Sequence, residues 1–261
     1  MATIANKFMA KSSEIEYQYR TPRAQIALYV DRFWCLKHTG RIAKEVILLP
    51  DGKIDILFSK SATASFHAVL IGLATLPDKN RLEPGLITFG ISFHPIAMEY
   101  ILQKPVAALI NGAAELKGDF WGASASWLTN FDLFCEKVSA IILSLVPEVP
   151  DERKLRMQRC LLESSGNTTI RSIEKNCFIT ARALNRYWMH YLGIPLKTYL
   201  LVLRFRSAFP HIKKGNLYPE ADYADQSHFI REVKRLSGHL PKELLKNKND
   251  RFVQFSVLDP E

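Results

Sequence analysis

The stretch ADQSHFIREVKRLSGHLPKEL, residues 224–244, decides how the chain is read. Asp225 is a helix-capping residue whose carboxylate can accept a backbone N–H of the first turn. Beyond it, Phe229, Val233 and Leu236 recur at helical spacing and form one apolar stripe. Ser227, Arg231, Lys234 and, on the flank, His228 and Arg235 face the other way. Gly238 stands where a helix over Gln226–Leu236 would end. The same design recurs upstream. Thr180 is a second cap, Leu184, Trp188, Tyr191 and Leu192 share one face, and Arg182, Asn185, Arg186 and Met189 share the other, with Gly193 just past the end. A short helical segment and a tight connection precede each: Ile173–Phe178 and Leu217–Ala224. A short helix, a turn and a second helix with a basic outer face is the helix-turn-helix layout. Its second helix enters the major groove and reads base edges from its N-terminal half. Arginine pairs with guanine, Asn or Gln with adenine, and Lys or Arg also hold phosphates. An ordinary amphipathic helix with solvated charges accounts for either helix alone; the recurrence favours DNA.

Charge supports that reading. Residues 151–261 carry 20 Lys/Arg against 12 Asp/Glu, whereas residues 1–150 carry 15 against 14, so the basic excess of the chain lies in its second part. At 48% hydrophobic and 23% charged, the 261 residues are long enough to bury one large core or two ordinary ones. We place a boundary at the polar link PEVPDER, giving residues 1–148 and 151–261. After it nearly everything reads as helix: Glu152–Leu162, Thr168–Asn176, Thr180–Leu192, then a helix opened by Pro195 and ended or kinked by Pro210.

The first part mixes strands and helices. Ala27–Leu36, Phe66–Leu73 and Leu86–Phe93 read as strands. Glu45–Leu49 and Ile54–Phe58 flank the turn Pro50-Asp51-Gly52 and read as a hairpin. Ala97–Leu102, Ala107–Ile110 and Trp127–Leu145 read as helical, the last with Leu128, Phe131, Phe134, Val138 and Ile141/Ile142 on one stripe. The expected fold class is therefore an α+β N-terminal domain, with a barrel-like sheet as one form of it, followed by an all-α double helix-turn-helix domain.

The residues carry a family resemblance as well. Ala224–Leu244 resembles the second helix-turn-helix of the AraC/XylS regulators and the Gly-x-x-Pro segment that closes it. Thr180, Leu184, Arg186, Gly193, Pro195, Tyr199, Arg204 and Ala208 match the first unit. The resemblance implies two units on successive major grooves. By position it implicates Arg182, Ala183 and Arg186 in the first and Gln226, Ser227 and Arg231 in the second; Asn185, His228 and Lys234 join them on the outer faces. It also implies double-stranded DNA as partner, a small-molecule effector or a homodimer contact through residues 1–148, and RNA polymerase if the protein activates. The chain departs from the family pattern at Glu174 (usually Ala), Phe178 (usually Gly), Tyr218, Asp222 and Pro219. A proline inside a leading helix shortens or distorts it. These departures motivate the alternative reading, a degenerate module that binds a small molecule or another protein. Less sharply, YVDRFW (Tyr29–Trp34), LPDGKIDILF (Leu49–Phe58) and FGISFHP (Phe89–Pro95) resemble an uncharacterised domain fused to such modules, which implies a sensing or dimerising role.

Other chemistry finds little support. Cys35, Cys135, Cys160 and Cys177 form no CxxC pair, as in a reduced cytoplasmic chain. His38, His67 and His94 lack metal-ligand spacing. No nucleophile-elbow, Walker-type or dinucleotide loop occurs, so neither an enzyme nor a cofactor is expected. The longest apolar run, Ala140–Val146, is too short to span a bilayer. Trp34, Phe58, Phe93 and Trp121 either line an apolar effector pocket or are plain core aromatics, and the second is the simpler reading.

Overall fold

A computed structural model describes the backbone of residues 6–9 and, with side chains, residues 14–117, 119–217 and 225–255, with the backbone of Ser256. Among the described residues the strands are β1 Asn6–Met9, β2 Ile15–Arg20, β3 Val30–His38, β4 Lys44–Leu48, β5 Ile54–Lys60, β6 His67–Ile71, β7 Asp78–Leu82, β8 Ile87–Phe93 and, after the first helix, β9 Ala113–Leu116. The helices are α1 Ala97–Tyr100, α2 Phe131–Leu145, α3 Glu152–Ser164, α4 Ile170–Cys177, α5 Ala181–Leu192, α6 Leu196–Ser207, α7 Phe209–Lys213, α8 Gln226–Ser237, α9 Pro241–Lys246 and α10 Val253–Ser256. A sheet-rich first part followed by helices is the expected order.

Seven strands form one sheet in the order β1-β2-β3-β8-β5-β6-β9; β4 and β7 form a second. The barrel-like form does not occur, because β1 and β9 remain the two edges of the larger sheet. Each face of that sheet is already covered. On one, Ile54, Ile56 and Phe58 of β5 and Phe89, Ile91 and Phe93 of β8 meet Trp127, Phe131, Phe134, Val138 and Ile142. Ring centroids there lie 5.3 Å apart for Phe89–Phe131 and 5.5 Å for Phe58–Trp127, edge-on or tilted as aromatic quadrupoles prefer. On the other face, Ile15, Tyr17 and Leu36 pack on Val46 and Leu82 of the small sheet and on Val253 of α10. Trp34 lies there across Gly90, where an added Cβ would come within 2.2 Å of the indole.

The hairpin expected across Pro50-Asp51-Gly52 is also corrected. β5 is paired on both sides, by β6 and β8, so no edge is left for β4, which pairs with β7 instead. The turn residues carry the chain from one sheet to the other. The long helix expected over Trp127–Leu145 is split. Ala125–Thr129 is a 3-10 turn, and Asn130 caps α2 by accepting from the Leu133 N–H at 3.1 Å. The four aromatics do not line one pocket. Phe58 and Phe93 are fully buried on the α2 face, Trp34 lies on the opposite face, and half-buried Trp121 stacks on Phe120 at 4.7 Å.

The helical part follows its caps. Asp151, Thr169, Thr180 and Asp225 each accept a backbone N–H at the head of α3, α4, α5 and α8. Pro210 lies in the first turn of α7, so α6 stops before it. α6 is apolar around most of its surface because it serves two clusters. Leu196, Tyr199 and Leu200 belong to the core shared with the sheet, α2, α3, α4 and α5. Leu201, Val202 and Phe205 belong to a second core with Phe209, Ile212, Phe229, Val233, Leu236, Leu244 and Phe252. Among the described residues no helix is long and apolar enough to cross a membrane.

Candidate nucleic-acid interface

The first unit is α4, a turn and α5. Ile173 and Cys177 of α4 and Leu184, Trp188 and Leu192 of α5 are buried, which fixes the rotation of both helices. Thr180 Oγ1 accepts from the Ala183 N–H at 3.2 Å. Arg182, Asn185 and Arg186 then stand exposed in the N-terminal half of α5, with Ala183 half-buried between them. Both departures from the family pattern have local explanations. The Glu174 carboxylate accepts the Ala181 N–H at 3.0 Å and so satisfies a free donor at the head of α5. Phe178 occupies the left-handed region at φ 55°, a conformation that costs a non-glycine residue about 1–2 kcal/mol. Its ring, 72% exposed, lies beneath the Arg156 guanidinium of α3 at 5.5 Å.

In the second unit, Phe229, Val233 and Leu236 seat α8 on α6, and the Glu232 carboxylate lies 4.0 Å from Arg204 of α6 and 3.3 Å from His228. Gln226, Ser227, Arg231 and Lys234 are exposed and His228 is half-buried. Arg231 Nε donates to the Ser227 carbonyl at 3.3 Å, which lays that side chain along the helix. The expectations placed on Tyr218, Pro219 and Asp222 fall at residues 218–224, outside the described residues.

A second constellation, not foreseen as a site, joins the sheet to the helices. The three motifs YVDRFW, LPDGKIDILF and FGISFHP converge on it. Lys53 Nζ donates to Asp31 Oδ1 at 2.8 Å and to His94 Nδ1 at 3.1 Å, and Arg32 Nε donates to Asp31 Oδ2 at 2.8 Å. Trp34 donates to Ser92 Oγ at 3.0 Å, and Ser92 donates to Asp55. Burial alone would raise Asp31, but the Lys53 and Arg32 charges outweigh it and hold the carboxyl well below the usual range. Burial, then the charge of Asp51, pushes Asp55 up to about 7. Burial, then the Lys53 ammonium, pushes His94 down to about 3, so it is a neutral acceptor.

Above this cluster runs the loop from Leu49 to Lys53. Gly52 sits at φ +80°, where a Cβ would meet Leu203 of α6 at 2.9 Å, and the Tyr199 hydroxyl donates to the Gly52 carbonyl at 3.2 Å. Gln254 of α10 closes on Leu49 with two hydrogen bonds, of 3.0 and 2.9 Å. Asp51 faces Arg206 of α6, whose charge offsets part of the burial that raises the carboxyl. The signal for this junction was present in LPDGKIDILF, where Asp51, Lys53 and Asp55 alternate with Gly52, Ile54 and Ile56. Polar residues at every second position on the way into a buried strand demand partners of their own.

Residues 18–115 match a domain of unknown function, DUF6597. No curated protein matches the chain. Among solved structures it is similar to ToxT from Vibrio cholerae. A 1.65 Å structure of that protein is 10% identical, with a TM-score of 0.46 over 82% of this chain and 97% of that one. ToxT bound to an unsaturated fatty acid is 12% identical, with a TM-score of 0.40 over 78% and 94%. ToxT bound to (E)-4-(8-methylnaphthalen-1-yl)but-3-enoic acid is 11% identical, with a TM-score of 0.42 over 78% and 98%.

Proposed function

We propose that the protein is a sequence-specific DNA-binding transcription regulator of the cytoplasm. α5 and α8 read successive major grooves of one operator, and the sheet part, residues 1–148, modulates the reading domain, residues 151–261, through a small-molecule effector or a homodimer contact. RNA polymerase is a further partner if it activates. The observation that carries this reading is the shared build of α5 and α8. Each is capped by a side-chain acceptor, buries three large apolar side chains at helical spacing, and leaves polar and basic side chains in solvent near its head, on the part of the chain with the basic excess. Glu174 favours it over a degenerate module, since its carboxylate braces the turn that sets α5. The Leu49–Lys53 loop supports the coupling, because it touches both α6 and α10.

The test is a salt series of fluorescence-anisotropy titrations. The full chain is titrated with the duplex upstream of its own gene and with a scrambled duplex. Preference for the native duplex and a steep fall of affinity with salt are expected, as counterions are released from phosphates. Equal, weak, salt-insensitive binding to both duplexes refutes the reading.

A further inference from the structure

Of the four free cysteines, Cys35 and Cys135 are buried in the sheet part. Cys160 of α3 and Cys177, the last residue of α4, face each other with sulfurs 3.9 Å apart. Cys177 is fully buried and Cys160 half-buried, so an oxidant meets Cys160 first. Arg156 lies one turn before Cys160 on α3, and its positive charge offsets a small part of the burial that raises the Cys177 thiol. Burial, then the neighbouring Cys160, pushes the Cys177 thiol up to about 12, so it stays protonated and is not the sulfur that meets the peroxide.

We propose that Cys160 and Cys177 are a redox-modification site, a dithiol that a hydroperoxide converts to a disulfide between α3 and α4. The Cys160 thiolate attacks one peroxide oxygen. The O–O bond breaks, the departing oxygen takes up the proton that Cys160 lost and leaves as an alcohol (water, for hydrogen peroxide), and Cys160 becomes a sulfenic acid. The Cys177 sulfur then attacks the Cys160 sulfur. The S–O bond breaks, the departing hydroxide takes the Cys177 proton and leaves as water, and the S–S bond forms. Two thiols lose two electrons and the peroxide gains them.

The bridge has a structural lever. A disulfide holds its sulfurs at about 2.05 Å, so the facing side chains or their helices must close by nearly half of the present gap. Cys177 adjoins Phe178, the left-handed turn, and follows Glu174, which holds the head of α5. A bridge at Cys177 therefore fixes the turn that aims α5. Its effect on DNA rests on the function proposed above; the covalent chemistry does not.

The experiment treats the reduced full chain with hydrogen peroxide, caps free thiols with iodoacetamide, and maps tryptic peptides by mass spectrometry. The expected product is a linked peptide pair containing Cys160 and Cys177, lighter by two hydrogens and reversed by dithiothreitol. C160S abolishes it. Peroxide that leaves both thiols open to alkylation, or carries Cys160 on to sulfinic acid, overturns the proposal without reference to any folded variant. Anisotropy with the upstream duplex follows: oxidation shifts the affinity of the wild type and not of C160S. A bridge without that shift, in a protein that binds DNA when reduced, overturns the lever. A bridge in a protein that binds no DNA when reduced refutes the function instead and leaves the site standing.

Discussion

The two capped helices α5 and α8 are anchored differently. α5 buries Leu184, Trp188 and Leu192 in the core that holds the sheet and α2. The Val106 N–H donates to the Tyr191 carbonyl at 2.8 Å, and Lys154 of α3 pairs with Glu99 of α1. The first unit is thus an outgrowth of the sheet part. α8 rests on a separate cluster gathered around Val202 and Phe205 of α6, and Leu49 is the residue of the first part that is fully buried in that cluster. The Leu49–Lys53 loop touches both clusters, Leu49 in the one beneath α8 and Gly52 against Tyr199 of the one beneath α5. The difference teaches that one capped helix, α5, is fixed to the frame and the other, α8, is hung beside it.

The strongest way to break this contrast is to hollow each core. Trp188→Ala should cost about 3–5 kcal/mol and destabilise the sheet with the helices, whereas Phe229→Ala, of similar cost, should open α8 and α9 as a local unit. Urea denaturation gives the total loss, and hydrogen exchange shows where protection disappears. Equal loss of sheet protection in both variants would contradict separate anchoring. Next in size, Arg186→Ala and Arg231→Ala should each weaken DNA binding by about 1–3 kcal/mol if they contact bases, each at its own base position. Titration against single-base operator variants assigns the position, and a uniform loss across variants would assign the side chain to phosphate instead. Glu174→Ala removes a charged acceptor from the head of α5 and should cost about 1–2 kcal/mol, with Glu174→Gln retaining part of it. Thermal melting of the two variants checks it.

The smallest effect concerns pH and sharpens the view of the junction. Asp55 is raised from 3.8 to about 7, so the folded state gains stability as pH falls through 7 towards 4. His94 is lowered from 6.5 to about 3, so the folded state loses stability as pH falls through the window from 6.5 to 3. Between about pH 6.5 and 4 the two slopes oppose, each at most about 1.4 kcal/mol per pH unit. The wild type should be nearly flat there. Asp55→Asn should be stabilised at pH 8 and should lose stability on acidification below 6.5, because His94 then acts without its counterweight. Urea midpoints at half-unit pH steps would show it, and a flat profile in the variant would remove the account.

The helical part was legible because its signals are local. Thr180, Asp225, Gly193 and Gly238 mark ends within one turn, and the apolar stripes repeat every three or four residues. The sheet was legible strand by strand but not in its pairing. β5 could be read from Ile54, Ile56 and Phe58, yet its partners β6 and β8 are chosen by burial on both flanks, which a turn signal at Pro50-Asp51-Gly52 does not report. β7, Asp-Lys-Asn-Arg-Leu, is exposed at its first four positions and carries no apolar alternation to read. The outward-facing arginines of α5 and α8 could be placed from periodicity. The Asp31–Lys53–His94 cluster could not, because Asp31 lies in β3 while Lys53 and His94 flank β5 and β8, and the three meet only once those strands are in register.

The two hydrogen bonds between Gln254 and Leu49 close a contact over 205 positions of sequence. On the ribosome, the strand that leads into Leu49 is made long before α10 exists. Until α10 is made that edge lacks its cover, and the cluster beneath α8 cannot be completed on it. The entropy of closing a loop grows only slowly with its length, but contacts so distant in sequence form slowly. The cluster under α8 is thus completed last, after the frame beside it has already folded.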